Sequence, residues 1–365
     1  MAKNERVSAW LKHRSAYADS SFETMLAGCA AHAADEEIGL LDIGASIDRL
    51  RDASLLLDDG ATEPELTARS LISLGSVNLP VGRLWEGHIN ALNLVKTYAA
   101  RSVRDKVKQL LAHGAFLGVW GADDAIPVVL EKGAAGLTGA KKFASGLGTV
   151  THAIVTVNSG PDVRLALIEV TDVNRADVSG WRMPGMRSTA SGRFDFSGLA
   201  VSSLLWVGSA GDYVREPYFV GGVWRIAALQ IGGAVGLIDA ATSHLRSLGR
   251  MEADAQKSRL GQVMMRALSG GALVERAARM MLSKMPEKAV ALSIAARLQT
   301  EDCALDAIRA VEQSVGLAHF EDGSVTSRRA RDLSVYLRQA ARDAMLIRFA
   351  DQAFADENSI RELLK

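Results

Sequence analysis

The period of the apolar pattern changes twice along this chain of 365 residues. Over roughly the first 112 residues, apolar side chains recur at intervals of three and four, as in the stripe formed by Leu84, Ile89 and Leu92. That interval is typical of helices. From about Gly114 the pattern changes to short β-branched or aromatic runs separated by glycine, and after Pro217 the helical pattern returns. We therefore expect a strand-rich insert between two helical regions.

Three runs in the middle of the chain carry the strand signal. They are AIVTV at 153–157, VRLALIEV at 163–170 and RFDFSGLAV at 193–201. β-branched and aromatic residues are frequent in these runs, and the sequence SGPD at 159–162 supplies a turn between the first two. The runs predict short strands connected by turns.

The second helical region begins with a stripe of small residues at intervals of four, namely Ala228, Gly232, Gly236 and Ala240. Such a stripe lets a neighbouring backbone approach closely, and tight packing in a bundle is its best interpretation. Further amphipathic segments follow at about 258–284, 286–317 and 328–356. Together they predict a C-terminal four-helix bundle.

These patterns divide the chain into three predicted domains. A helical N-terminal domain covers 1–112, a strand domain covers 113–216 and the C-terminal four-helix bundle covers 217–365. The predicted fold class is therefore α+β and multidomain.

Charge and composition exclude several classes of protein. Lys plus Arg and Asp plus Glu both total 42, so no basic excess indicates a nucleic-acid partner. The most apolar stretch, 227–241, is interrupted by Gln230 and Asp239, and we expect no membrane span. The charged N-terminus lacks the apolar run of a secretory signal, which predicts a cytoplasmic protein. Cys29 and Cys303 lie far apart, so neither a disulfide framework nor a metal site is expected.

Several stretches, taken in order, resemble the acyl-CoA dehydrogenase superfamily of flavoproteins. They are RLWEGHINAL at 83–92, GLTGAKKFASGLGTVTHAIVTV at 136–157, MPGMRSTASGRFDFSGLAV at 183–201, VWRIAALQIGGAVGLIDAATSHL at 223–245 and RRARDLSVYLRQ at 328–339. Each motif alone is weak, and their order and spacing carry the resemblance over roughly residues 80–350. The resemblance implies that the strand domain is a small β-barrel between the helical domain and the bundle.

The resemblance also implies a cofactor and its contacts. FAD is expected between the barrel and the bundle of a homodimer or homotetramer. The residues that match the family's FAD contacts are Val119 and Trp120 on the strand along the flavin ring, Phe143 and Ser145 beside it, Arg250 and Gln256 in the bundle, and Gly316 from the partner subunit. Ser145 keeps a hydroxyl where the family places one near the flavin N5, and a donor there would stabilise the reduced ring.

The sequence departs from the family at the catalytic base. A dehydrogenase of this type needs a carboxylate that removes a proton beside the thioester while hydride leaves for flavin N5. The family's two positions for that Glu are occupied by Ala340 and by Trp224, the residue before the predicted substrate contact Arg225. In the related flavin monooxygenases a His near the same segment handles the proton, and here that position is Gln339.

The resemblance therefore leaves three functions open. The first is an FAD-dependent oxidoreductase that transfers hydride from an acyl thioester such as acyl-CoA to flavin N5, without the usual base. The second is a flavin-dependent monooxygenase of the same fold. The third is a dehydrogenase-like binding subunit without catalysis. A small-molecule substrate is expected for the first two.

Overall fold

A computed structural model describes residues 20–57, 59–160, 162–338, 341–356 and 359–364. The helices in these ranges are α1 (Ser20–Glu37), α2 (Gly44–Asp52), α3 (Pro64–Val77), α4 (Leu79–Tyr98), α5 (Arg101–Ala112), α6 (Trp224–Ser247), α7 (Asp254–Met280), α8 (Pro286–Val315), α9 (Val325–Tyr336), α10 (Arg342–Ala353) and α11 (Ser359–Leu364). The strands are β1 (Leu117–Trp120), β2 (Ala140–Ala144), β3 (His152–Ser159), β4 (Asp162–Glu169), β5 (Ala176–Asp177), β6 (Gly192–Asp195) and β7 (Leu205–Val207). The predicted α+β class is confirmed.

The strands form two small sheets. One has the order β1-β3-β4-β7, in which only β1 and β3 pair in parallel, and the other has the order β2-β6-β5 and is antiparallel. Aromatic rings join the sheets, since Trp120 of β1 lies 5.5 Å from Phe194 of β6, measured between ring centroids. A closed barrel remains a prediction.

The predicted strands at 153–157 and 163–170 correspond to β3 and β4, which pair along their whole length. The third run forms a much shorter strand than expected. β6 ends at Asp195, and Gly198 then adopts a positive φ of +79° that turns the chain. Glycine alone takes this conformation without a steric cost from a Cβ.

The small-residue stripe of α6 packs as predicted, although its neighbour is a helix from the N-terminal region. A Cβ atom at Gly232 would lie 2.5 Å from the carbonyl oxygen of Ile72 on α3, and one at Gly236 would overlap the carbonyl of Ser76. The α3 backbone therefore lies directly against α6, in addition to α7 and α8, which also pack on this helix.

The predicted amphipathic segments at 258–284 and 286–317 correspond to α7 and α8. The segment predicted at 328–356 consists of two helices, because α9 ends at Tyr336 and α10 begins at Arg342. Among the described residues, the segment 220–247 is by length and composition alone apolar enough to cross a membrane, and an 18-residue window in it has a mean hydropathy of 1.4. However, 67% of that apolar window is buried inside the protein, which explains its composition.

Candidate functional site

The helix α4 places polar side chains where the helical regions meet the strands. Asn78 caps its N-terminus by accepting from the Val81 backbone N–H, and Pro80 occupies the first turn, where its missing N–H costs no helical hydrogen bond. Arg83, Glu86 and Asn90 follow at spacings of three and four, so they share one face of an otherwise apolar helix.

That face meets Arg225 at the start of α6. Arg225 approaches Glu86 Oε1 with its Nε at 3.4 Å and donates from a terminal nitrogen to Asn90 Oδ1 at 2.7 Å. Arg83 pairs with the other carboxylate oxygen, Glu86 Oε2, at 2.7 Å. We call Arg83, Glu86, Asn90 and Arg225 the junction cluster. Its carboxylate is buried between two guanidinium groups, so the cluster carries one net positive charge.

Two aromatic side chains adjoin the junction cluster. Trp224 is 3% exposed, its ring lies 5.6 Å from the Arg225 guanidinium, and its indole Nε1 has no hydrogen-bond partner among the described residues. Tyr336 at the end of α9 is also buried, and burial together with the charge of Glu86 raises the pKa of its hydroxyl. An indole therefore occupies one of the two positions at which the resemblance places a catalytic base. The other, Ala340, and the position of the monooxygenase His, Gln339, lie outside the described residues.

Ser145 is half-buried and held from two directions. Ser191 donates to Ser145 Oγ at 3.0 Å, and the hydroxyl of Thr189 lies 2.8 Å from that of Ser191. The indole of Trp120 donates to the Ser145 carbonyl oxygen at 3.0 Å. Because Ser145 Oγ accepts in this chain of hydroxyls, its own proton is left to donate elsewhere.

Phe143 projects outward beside Ser145. It lies at the irregularity of β2, where the register with β6 shifts, and has a φ of +55°. Its ring is 55% exposed and has Trp181 as an edge-on neighbour at 6.3 Å between centroids. A left-handed conformation is costly for a bulky residue, and such strain clusters at functional sites. We call the surface of Phe143 and Trp181 beside Ser145 the outer face.

A small space lies on another side of Ser145, between α4 and β1. Its lining residues are Arg83, Leu84, Gly87, Gly118, Val119, Trp120, Ser145 and Val150, and the space open to the centre of a water-sized sphere is about 10 Å³. We call it the inner crevice. A cavity of that size holds about one water molecule. No flavin ring fits there, so a flavin ring would have to lie outside this crevice.

The three residues predicted to contact FAD from the bundle lie in a separate region. Arg250 is exposed after α6, and Gln256 donates to the Ser314 carbonyl oxygen at 3.2 Å. Gly316 ends α8 with a φ of +70°, and the chain beyond it lines an open cleft of about 450 Å³ that includes Glu321 and Asp322. None of the described contacts links this region to Ser145.

A second buried charged group anchors the hairpin that carries Thr189 and Ser191. Asp332 of α9 accepts from the Met186 backbone N–H at 2.5 Å, and Met186 has a φ of +55°. Glu37 of α1 is also buried and lies 3.6 Å from the guanidinium of Arg331. Burial, with a contribution from Glu37, raises the pKa of Asp332 to about 6, and burial also raises the pKa of Glu37. We call Glu37 and Asp332 the carboxyl pair.

The structure thus brings only some of the predicted site residues together. Val119, Trp120 and Ser145 meet at the inner crevice, Phe143 lies on the outer face and Arg225 joins the junction cluster. Arg83, Glu86 and Asn90 were missed, since RLWEGHINAL counted only as part of a resemblance. The sequence signal that could have identified these residues was a polar stripe on an otherwise apolar helix. Such a stripe indicates a buried polar cluster only if another helix packs against the stripe.

Flavin fits the chemistry of the Ser145 region. An exposed aromatic ring, a neighbouring indole and a half-buried hydroxyl with a free proton are groups that a planar ring with an acceptor nitrogen would use. Within the residues that the structure describes, no group of three or more His, Cys, Asp or Glu side chains is arranged to hold a metal ion.

No protein-family model matches this chain, and no curated protein matches it. Solved structures do match. FMN-bound TdsC from Paenibacillus sp. A11-2 is 16% identical with a TM-score of 0.80, and the match covers 92% of this chain and 96% of that one. A nitrososynthase from Micromonospora carbonacea var. africana is 18% identical with a TM-score of 0.79, covering 93% and 97%.

Methanesulfinate monooxygenase MsuC from Pseudomonas fluorescens is 16% identical with a TM-score of 0.74, and covers 92% of this chain and 96% of that one. These neighbours are flavin-dependent enzymes with the acyl-CoA dehydrogenase-like fold, including its monooxygenase branch. The chain therefore has that fold. The flavin in the TdsC structure is FMN, whereas the sequence expectation for this chain was FAD.

Proposed function

We propose that this protein is a flavin-dependent monooxygenase with the acyl-CoA dehydrogenase-like fold. In that reaction one atom of dioxygen enters a small organic substrate, the other leaves as water, and a reduced flavin supplies the two electrons and two protons. The fold shared with TdsC and MsuC supports the proposal, since TdsC is a dibenzothiophene monooxygenase and MsuC a methanesulfinate monooxygenase.

The observation that counts against a dehydrogenase is that, among the described residues, no free carboxylate lies at the junction. Trp224 is buried at one base position, and Ala340 has no carboxylate at the other. Glu86 is the carboxylate of the junction cluster, and each of its oxygens faces a guanidinium group. A carboxylate held in this way does not reach out to remove a proton from a substrate carbon.

The residues that would hold the ring are Phe143 and Ser145. Phe143 offers an aromatic surface, and Ser145 offers a hydroxyl proton, since its Oγ accepts from Ser191 while the indole of Trp120 holds its backbone carbonyl oxygen. When bound, the flavin supplies two-electron chemistry. Arg225 remains the proposed contact for substrate, with Glu86 and Asn90 holding its guanidinium in place.

We further propose FMN rather than FAD as the preferred flavin. The predicted contacts to the adenylate half are poorly suited to a pyrophosphate. Gln256 is engaged with Ser314, and the cleft that begins beyond Gly316 carries Glu321 and Asp322. Carboxylates repel a pyrophosphate unless a cation lies between them. A homodimer or homotetramer and a cytoplasmic location are retained as proposals.

Flavin titrations and two activity assays test the proposal. We expect FMN to bind more tightly than FAD, and Ser145→Ala to weaken FMN binding about tenfold, the loss of one good hydrogen bond. Ser203→Ala, an exposed hydroxyl of the same strand region, is the matched control. With reduced FMN and dioxygen, indole or dibenzothiophene should be oxygenated.

Two results would contradict the proposal. Bleaching of bound flavin by an acyl-CoA, with electrons passed to a dye, would restore the dehydrogenase. A protein that binds neither FMN nor FAD would favour the non-catalytic binding subunit.

A further inference from the structure

The inner crevice has the size of one small molecule and a mostly apolar lining. Leu84, Val119, Trp120 and Val150 contribute apolar surface, and two of the other lining residues are glycines. The indole N–H of Trp120 is already used by the Ser145 carbonyl oxygen. Small cavities with apolar walls stay dry and bind small apolar molecules.

Arg83 is the charged residue of this lining, and its guanidinium is engaged outside the crevice. Arg83 pairs with Glu86 Oε2 at 2.7 Å, and the Arg83 side chain is 29% exposed. A water molecule in the crevice would need two to four polar partners to be held firmly. Ser145 is the other polar side chain of the lining. Its Oγ accepts from Ser191 and keeps one proton to donate, so it offers a water molecule at most one firm contact.

We propose that the inner crevice is a binding site for molecular dioxygen, placed beside the hydroxyl of Ser145. The inference rests on the proposed monooxygenase function for the use of the dioxygen, and on the geometry alone for its binding. Dioxygen is apolar and close to water in width, so a crevice with room for about one water-sized sphere and with apolar walls suits it better than any larger substrate. The site lies between the strand β1 and the helix α4.

Two glycines keep the crevice open. A Cβ atom at Gly118 would lie 3.1 Å from Val150 Cγ1 and 3.3 Å from Trp120 Nε1. These contacts are shorter than ordinary van der Waals contacts, so a side chain at Gly118 would displace its neighbours. A Cβ atom at Gly87 would have as its nearest neighbour the movable tip of Arg83, at 3.4 Å. Gly87→Ala therefore adds a methyl group to the lining without a backbone clash, and alanine is favoured over glycine within a helix.

The test uses the flavin-free protein with isotope-labelled methyl groups. Dissolved dioxygen is paramagnetic, so a methyl group beside a bound molecule relaxes faster in NMR spectra. We expect the largest enhancement at Leu84, Val119 and Val150, well above that at Leu71, a fully buried core residue. Gly87→Ala should lower the enhancement to the level of Leu71, whereas Gly261→Ala, in open space on α7, should leave it unchanged.

A second measurement connects binding to turnover. In the protein loaded with reduced FMN, Gly87→Ala should raise the KM for dioxygen at least about fivefold and leave the Kd for FMN unchanged. If Gly87→Ala does not fold, Val150→Leu narrows the crevice from the opposite wall.

The outcomes separate the two proposals. No enhancement above Leu71, or a bound water detected at the same methyl groups, overturns the dioxygen site whatever the flavin assays give. Enhancement that Gly87→Ala removes, in a protein that binds no flavin, supports the site and refutes the monooxygenase.

Discussion

The junction cluster and the carboxyl pair are both buried charged groups, and they differ in how fully nearby opposite charges compensate their buried carboxylates. In the junction cluster, the carboxylate of Glu86 faces the guanidinium groups of Arg83 and Arg225. In the carboxyl pair, Glu37 and Asp332 are both acids, and the charge of Glu37 raises the pKa of Asp332 further. Burial penalises the charged form of each acid. In the junction cluster both oxygens of Glu86 face guanidinium groups, whereas in the carboxyl pair the guanidinium of Arg331, 3.6 Å from Glu37, does not offset the penalty, and the pKa values of both acids stay raised.

The difference indicates which buried carboxylates can be protonated without loss of stability. The junction cluster joins α4 to α6 through contacts that need the charges, so neutralising its carboxylate should loosen the join. The carboxyl pair holds the hairpin of Met186 against α9 through an acceptor oxygen, which a neutral group also supplies. We therefore expect charge removal to be harmful in the first group and favourable in the second.

The largest effect is expected for Glu86→Gln in the junction cluster. The amide keeps the size of the side chain but leaves two guanidinium groups, one of them nearly fully buried, without a counter-charge. Removing one partner of a buried ion pair typically costs about 3–5 kcal/mol. Urea unfolding followed by circular dichroism would measure a loss of this size in the free energy of unfolding.

The control for that prediction is the double variant Glu86→Gln with Arg225→Met. Removing the buried guanidinium as well should recover part of the lost stability, because the two changes act on one contact. A loss below about 1 kcal/mol in the single variant would mean that the ion pairs of Glu86 stabilise the protein no more than surface ion pairs do.

The next effect is a pH dependence caused by Asp332. An aspartate in the unfolded chain loses its proton near pH 3.9, whereas Asp332 in the folded protein holds its proton up to about pH 6. Between these values the folded state binds more protons, so the free energy of unfolding falls as pH rises from about 4 to about 6. The gap corresponds to about 3 kcal/mol.

Asp332→Asn should remove the contribution of Asp332 to the decrease in the free energy of unfolding between about pH 4 and about pH 6. The amide keeps an oxygen that accepts from the Met186 backbone N–H. At pH 7 we expect the variant to be more stable than the parent by up to about 3 kcal/mol, measured by urea unfolding across pH 4–7. Asp343→Asn removes an exposed carboxylate from α10 and is the matched control. An unchanged pH slope in Asp332→Asn would show that the pair does not bind the proton.

The smallest effect concerns the close approach of the hairpin to α9 beside the carboxyl pair. A Cβ atom at Gly185 would overlap the backbone carbonyl of Arg331, so Gly185→Ala must displace the hairpin. Overpacking of this kind typically costs about 1–3 kcal/mol. Gly180→Ala, in the same hairpin but with open space around it, should change stability by less than half as much in thermal unfolding. Equal losses of stability in Gly185→Ala and Gly180→Ala would mean that the contact between Gly185 and Arg331 is not the cause of the loss.

Local patterns predicted the fold where their period was clear. The alternating and β-branched runs gave β3 and β4, and the apolar stripes gave α7 and α8, because side-chain spacing reports which face is buried. The stripe on α6 predicted close packing but not its partner. Gly232 and Gly236 meet α3, and nothing in the spacing of four distinguishes a neighbour in the bundle from one about 160 positions earlier.

The candidate site was predicted in part. The resemblance pointed to Trp120 and Ser145, which the fold brings together through one hydrogen bond. It placed Phe143 beside them but not the left-handed backbone that turns its ring outward. Glu86 went unrecognised because a single carboxylate on a helix is usually solvated, and its burial depends on a partner 139 positions away in sequence.

The amino-acid sequence by itself determined the order of helices, strands and helices and the neutral charge. These features depend on residue type and short-range spacing. The tertiary structure decided which charges are compensated, which carboxylates retain protons and which side of Ser145 is open. Those properties depend on desolvation and on contacts between residues far apart in the chain, and both arise only when the elements pack together.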